Sequence, residues 1–360
     1  MSVVVTACSL FTDLGGLDNP APSTVIVVAE AGAPTVDSGG TSPIEDAGEE
    51  TPAAVHYART LTLNADAAAA VDVGYTYCAR FGAEIVGAAE TAGKMRGDLA
   101  DLRIFGASGE VAAVVDPLAI GRAEVCFKLE RAIAAGATDT YELRYGDSNA
   151  KAPSVDRASF FGFYDGFQKD DVDTTKWLVW GTPVIANGRL ELRKGAEHGI
   201  TTTATDDSVP ANASLEILAE VPNPATDALV RDSGSFWYWL GFQHTGDWNA
   251  YYPWEVFIAR GKSIVNAEEM TGDGACVGNC AQSYNLQTTD RRVYRIDRMD
   301  ASVLFQYDDG TTYTAPQAAG DLSIMIRSFL QDSDVYVYWV RARGIASPEP
   351  TLEIGAERTL

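Results

Sequence analysis

From Phe236 to Glu255 the chain reads FWYWLGFQHTGDWNAYYPWE, which holds four of its seven tryptophans. Indole and phenol rings offer flat apolar faces. Amide, imidazole and carboxylate groups set among them bond hydroxyls, and a sugar ring asks for both. The candidate binding set is Trp239, Gln243, His244, Trp248, Asn249, Tyr252, Trp254 and Glu255. Read as a strand, SFWYWLGFQ puts Trp237 and Trp239 on one face and Phe236, Tyr238 and Leu240 on the other. One of those faces must fill a core, and the sequence does not say which. HTGDWN reads as a turn, so Trp248, Tyr251, Tyr252 and Trp254 fall in or beside a loop, where water does not favour rings.

Cleavage of a glycosidic bond asks for two carboxyl groups, about 5–5.5 Å apart for retention or about 6.5–9.5 Å for inversion. Glu216 and Glu220 in LEILAEV share a strand face, but at about 3.3 Å per residue they stand roughly 13 Å apart. Glu268 and Glu269 are neighbours that point to opposite faces, and Glu255 stands alone. There is no nucleophile elbow with His and Asp to follow, and no glycine-rich phosphate loop. The chain is therefore expected not to be an enzyme and to have no catalytic residues. Asp170, Asp171 and Asp173 offer hard oxygens that suit Ca²⁺, although an acidic turn serves equally as a solvated loop. No other cofactor is expected.

The elements around these residues read as β. Short runs rich in Val, Ile, Thr, Tyr, Phe and Trp recur between Gly, Asp and Asn turns, as in HYARTLTLNA, AEVCFKLE, TYELRYGD and VIANGRLELR. The 360 residues are 46% hydrophobic and carry a formal charge of −23, a surface that repels nucleic acid and anionic lipid headgroups. No stretch approaches the roughly 18 apolar residues of a membrane span.

Asp18 to Ala54 has no Lys, Arg or aromatic residue and cannot offset its ordering entropy, so a disordered acidic linker is expected over 9–54. Its coil reach is roughly 35–40 Å. Within it, Thr24–Ala29 is a run able to pair with a sheet edge. The chain has five cysteines. With Cys8 set aside, Cys276–Cys280 in GACVGNC and Cys78–Cys126 in two strand-like runs would use the rest as disulfides, which suits an oxidising exterior. Buried free thiols are the alternative for the second pair. Zinc lacks a second Cys/His pair, because His56, His198 and His244 are scattered.

Val5, Thr6, Ala7 and Cys8 resemble the lipobox of a bacterial lipoprotein, although the basic and longer apolar regions of a signal peptide do not precede them. The resemblance implies a lipid on Cys8, a secreted protein at an outer membrane or cell surface, and no membrane contact beyond that anchor. Tyr57 to Leu63, Asp101 to Phe105 with the turn Gly106–Gly109, Phe127 to Leu129, and Tyr145 to Asp147 resemble the surface module catalogued as DUF2341. The Trp usual before the Lys is absent here. Asp165, Phe167, Asp173 and Trp177, with Ser347 to Pro350 at the far end, resemble the concanavalin A-like lectin/glucanase domains that follow that module. Such a sandwich implies a sugar site on its concave sheet. Its usual closing Asp, a calcium ligand, is replaced where Tyr338 and Trp339 stand.

The expected fold is all-β, with two β-sandwiches after a disordered N-terminal linker. A lipobox at 1–8 and the linker precede a small sandwich at 55–152 and a jelly roll at 159–357. The expected function is non-catalytic binding of carbohydrate or another surface polymer. A glycoside hydrolase and a protein-binding adhesin are the alternatives.

Overall fold

The computed structural model describes residues 56–360 apart from 119–120, 194–196, 204–211, 221–235, 245–253, 261–264, 271–280, 285–290, 300, 307–311, 317–321 and 329–333. Cys8, the linker 9–54 and the Cys276/Cys280 pair lie outside the described residues.

Seven strands come first: β1 (Tyr57–Asn64), β2 (Thr76–Phe81), β3 (Arg103–Gly106), β4 (Gly109–Val111), β5 (Ala113–Pro117), β6 (Ala123–Lys128) and β7 (Thr138–Tyr145). A short helix, α1 (Val86–Thr91), follows β2. Period-two alternation decides their faces: β1 buries Leu61 and Leu63, and β7 buries Tyr141, Leu143 and Tyr145. β1, β7, β3 and β4 pair in that order, while β2, β6 and β5 form a second sheet. Leu61, Ile104 and Leu143 meet Phe81, Val125 and Phe127 in one core, joined by Val86 and Ala89 of α1. This is the small sandwich. Cys78 and Cys126 stand directly opposite in the β2–β6 register and form the expected disulfide. With a sequence separation of 48, loop-closure entropy puts its contribution at about 4 kcal/mol.

Helix α2 (Arg157–Phe160) leads into β8 (Phe163–Asp165), β9 (Trp177–Trp180), β10 (Val184–Ala186), β11 (Arg189–Leu192) and β12 (His198–Thr202). Then come β13 (Ala213–Glu220), β14 (Phe236–His244), β15 (Trp254–Arg260), β16 (Val265–Met270) and β17 (Ala281–Tyr284). β18 (Arg292–Met299), β19 (Ser302–Gln306), β20 (Thr312–Pro316), β21 (Leu322–Ser328) and β22 (Val335–Gly344) complete the set. One sheet runs β10-β11-β22-β13-β18-β19-β20, with β8 also on β22. The other runs β17-β16-β15-β14-β21-β12-β9. Leu215, Ile217, Ile296 and Val337 of the first pack on Ile200, Leu240, Phe257 and Ile324 of the second. This antiparallel pair of sheets is the expected jelly roll.

Its opening residues act as a clasp. Asp165 accepts from the Phe167 amide at 2.8 Å and from Trp177 Nε1 at 2.7 Å, so one carboxylate fixes the loop and the buried indole. Asn187 and Gly188 both have positive φ in the two-residue β10–β11 hairpin, as such a turn requires.

The expected jelly-roll span of 159–357 is corrected at its end. β23 (Thr351–Ile354) and β24 (Arg358–Thr359) leave the jelly roll and pair with β1. β1 would otherwise be an open edge, and Leu352 and Ile354 alternate onto the small core. The jelly roll is thus an insertion between β7 and β23 of the small sandwich's sheet.

The two sandwiches meet through ions. Arg341 of β22 is fully buried. Its guanidinium donates to Glu216 of β13 at 2.6 Å, to Asp116 of β5 at 3.1 Å, and to Glu124 of β6. Arg80 donates to Glu124 at 2.8 Å and Arg157 to Asp116 at 2.5 Å. On the return segment Glu349 accepts from Tyr75 of the small sandwich and from Arg295 and Arg343 of the jelly roll. Arg295 also holds Asp297 at 2.7 Å. Leu118 against Leu218, Val293 and Trp339 gives the layer an apolar flank.

Burial raises the Glu216 carboxyl, but Arg341, Arg343, Arg295 and Arg80 outweigh it and hold it at about 2, below its usual 4.5. Burial also raises Glu349, and Arg343 and Arg295 bring it well below the usual range. At Asp116 burial wins over Arg341 and Arg157, and the pKa is raised. A depressed carboxyl contributes stability above its unfolded pKa and loses it as pH falls through the folded one. Asp116 has the opposite sign, so mild acid relieves it. The melting temperature is therefore expected to hold down to about pH 4.5 and to fall as pH approaches 2. Glu216→Gln should flatten that fall and cost about 3–5 kcal/mol at pH 7 by leaving buried guanidiniums unpaired. Circular dichroism melts across pH check both.

Candidate functional site

The two faces of the seven-stranded sheet are made of different residues. Toward the sandwich core it carries Ile200, Leu240, Phe242, Phe257, Ile324 and Ile326. The alternate positions of the same strands, on the outer face, are Thr201, Trp239, Gln243, Val256, Ser323, Met325 and Arg327. Trp239 lies opposite Arg327, Gly241 opposite Met325, and Gln243 opposite Ser323. The Arg327 guanidinium sits 5.9 Å from the Trp239 ring centroid and bonds Glu197, just before β12. Thr201 Oγ1 donates to the Ile324 carbonyl at 3.0 Å, tying β12 to β21. These side chains are buried: Trp239 is 1% exposed, Gln243 2% and Arg327 6%. An aromatic ring, an amide, hydroxyls and a guanidinium thus share one face of the sheet, a composition that suits apolar surfaces and hydroxyls alike.

The structure splits the predicted set. Trp239 and Gln243 share this outer face. Trp254 begins β15 opposite Gln243, and His244 ends β14 opposite Leu322. Trp248, Asn249 and Tyr252 lie outside the described residues. Glu255 is a correction. It takes the register position of Phe242, on the core side, where its carboxylate meets Arg298 Nε of β18 at 3.0 Å with both side chains fully buried. Arg298 also lies 5.6 Å from the Phe242 ring centroid. This pair spans the two sheets and does not reach a ligand face.

The calcium candidates are also corrected. Asp170 and Asp171 are exposed. Asp173 accepts from Lys169 Nζ and Thr175 Oγ1 at 2.6 Å each, and the Lys169 hydrogen bond, followed by those of Thr175, lowers its pKa. Among the described residues no group of three or more His, Cys, Asp or Glu side chains is placed to hold a metal. Tyr338, at the position of the usual closing ligand, donates to Glu220 at 2.6 Å instead. Asp101 accepts two backbone amides, and Arg103 donates to backbone carbonyls.

Sequence reasoning missed Thr201, Ser323, Met325 and Arg327. The signal was present, since LSIMIRS alternates Ser323, Met325 and Arg327 with Leu322, Ile324 and Ile326. What the sequence did not show was that β21 lies beside β14, some eighty positions earlier in the chain.

Residues 98–180 match the family model described as Domain of unknown function (DUF2341). The match runs from just before β3 through β9, so it joins the small sandwich to the first strands of the jelly roll. Three of the four motifs that resemble DUF2341 fall inside it, as does the Asp165–Trp177 clasp. No curated protein matches the chain. Among solved structures, the chain is similar to one described as "Prominent members of the human gut microbiota express endo-acting O-glycanases to initiate mucin breakdown". There identity is 17% and the TM-score 0.41, covering 52% of this chain and 100% of that one. It is similar to the laminarinase catalytic domain of Thermotoga maritima at 11% identity and TM-score 0.40, covering 52% and 98%. It is also similar to a laminarinase of Flavobacterium sp. at 14% identity and TM-score 0.40, covering 51% and 99%. These neighbours are described as enzymes, so the expectation that the chain is not an enzyme is overturned and is withdrawn.

Because Glu255 and Arg298 compensate each other inside the sandwich, Glu255→Gln is expected to lower stability by about 3–5 kcal/mol. Denaturant unfolding measures this. A residue that only touched a surface ligand would leave the midpoint in place.

Proposed function

We propose that the chain is a carbohydrate-active protein that takes a glycan polymer on the outer face of the seven-stranded sheet. The observation that carries the reading is the composition of that face, with Trp239, Gln243, Ser323 and Arg327 in adjacent register on β14 and β21. The opposite face of the same strands carries Leu240, Phe242, Leu322, Ile324 and Ile326 into the sandwich core. Glu197 brings a carboxylate to the outer face through Arg327, and it is the carboxylate tested for a part in cleavage. The lipobox-like Val5 to Cys8 and the acidic stretch after it support a tethered location at a cell surface.

The whole chain is run through gels containing a β-1,3-glucan, a mixed-linkage β-glucan or mucin, and reducing ends are assayed on the same polymers. At least one gel is expected to retard it, and Gln243→Ala/Arg327→Ala should lose that retardation while keeping its circular dichroism spectrum. Reducing ends that vanish in Glu197→Gln with retardation kept would add hydrolysis. Neither retardation nor reducing ends on any polymer would overturn the reading. For the anchor, mass spectrometry of the membrane-extracted protein should find a diacylglyceryl group on Cys8, and Cys8→Ser should release the chain.

A further inference from the structure

On the outer face of the small sandwich's larger sheet, Arg103 and Arg144 stand directly opposite each other. Like charges in that relation repel, so each needs a separate reason to be there. Arg103 has a structural one. Its guanidinium donates to the carbonyls of Ala100 and Leu102 at 2.8 Å each and to that of Lys151, and it meets Glu110 at 3.1 Å. Beside it Asp101 is buried and accepts from the Arg96 and Gly146 amides. These groups have their bonds made and form a rigid floor.

Arg144 differs. Its Nε and Nη2 both donate to Glu142, and its guanidinium sits 3.9 Å from the Phe105 ring centroid. The guanidinium is therefore held in place, while Nη1 has no hydrogen-bond partner among the described residues. It lines a cleft of about 530 Å³ with His56, Glu110 and Asp147, inside the range of about 300–1,000 Å³ typical of ligand sites. Asp147 spends one carboxylate oxygen on the Asn149 amide and keeps the other. Glu110 is half exposed beyond its contact with Arg103. The imidazole of His56 is exposed. The rim thus presents unused donors and acceptors together over a fixed floor. With Glu142 counted, the carboxylates of Asp101, Glu110, Glu142 and Asp147 outnumber the guanidiniums of Arg103 and Arg144, which disfavours a phosphate, and the mixed donors and acceptors of the rim suit an uncharged ligand dense in hydroxyls.

We propose that this cleft is a second sugar site, holding a neutral glycan unit through hydroxyl bonds to Arg144, Asp147 and His56. The proposal rests on the glycan reading above and adds a site to it. Two sites on one body raise retention on a polymer well beyond either alone, provided one strand can reach both.

The test uses the whole chain in the polysaccharide gel that retards it. Arg144→Ala and His56→Ala are compared with Gln243→Ala. His56 is exposed, so its loss leaves folding intact. The expected result is a threefold or greater loss of retention in both Arg144→Ala and His56→Ala, with melting temperatures unchanged and a further loss when either is combined with Gln243→Ala. Unchanged retention in both would overturn the second site and leave the sheet-face reading standing. A loss in Arg144→Ala alone, with a lowered melting temperature, would mark folding damage and also overturn it. No retention of the unmodified chain on any polymer would overturn both readings together.

Discussion

The buried guanidinium of Arg341 fixes how the two sandwiches meet. Arg341 is taken wholly out of water at the junction of two sandwiches and is compensated by Glu216 from its own sheet and by Asp116 and Glu124 from the other sandwich. Desolvating a guanidinium costs several kcal/mol, and only well-placed carboxylates return it. The geometry is therefore satisfied in one relative placement of the sandwiches. A shift of either would strand buried charges, whereas a purely apolar contact would tolerate sliding. Exposed pairs such as Lys169–Asp173, worth about 0–1 kcal/mol, impose no such condition.

The chain path reinforces that placement. It crosses from the small sandwich to the jelly roll once before β8 and returns once after β22. Glu349 on the return holds Tyr75 of one sandwich and Arg295 and Arg343 of the other. β23 then closes the edge of β1. The outer face of the eight-stranded sheet is thereby given over to the partner sandwich. The outer face of the seven-stranded sheet carries the Trp, Gln, Ser and Arg side chains instead.

Much of this was legible in sequence where the signal is local. HYARTLTLNA and TYELRYGD read as strands bounded by turn residues, and VIANGRLELR read as strand, turn and strand with Asn187-Gly188 at the turn. The Asp165, Phe167 and Trp177 spacing marked what the structure shows as a one-carboxylate clasp. The sequence left Cys78 and Cys126 either paired or as buried free thiols, and the β2–β6 register makes them a disulfide. Glu255 was misread because it neighbours a tryptophan in sequence. Its burial depends on Arg298, forty-three positions later, arriving from the opposite sheet.

By itself, then, the sequence determined the all-β class, the two sandwiches and the aromatic strand of the second, since period-two patterns and turn residues act over a few neighbours. Tertiary structure alone decided which face of β14 is core, which strands border it, and that residues 351–359 rejoin the first sandwich. It also decided which carboxylates are consumed in ion pairs. Those outcomes depend on contacts between residues far apart in the chain, where the free energy of burying a charge or a ring is set by what arrives on the other side.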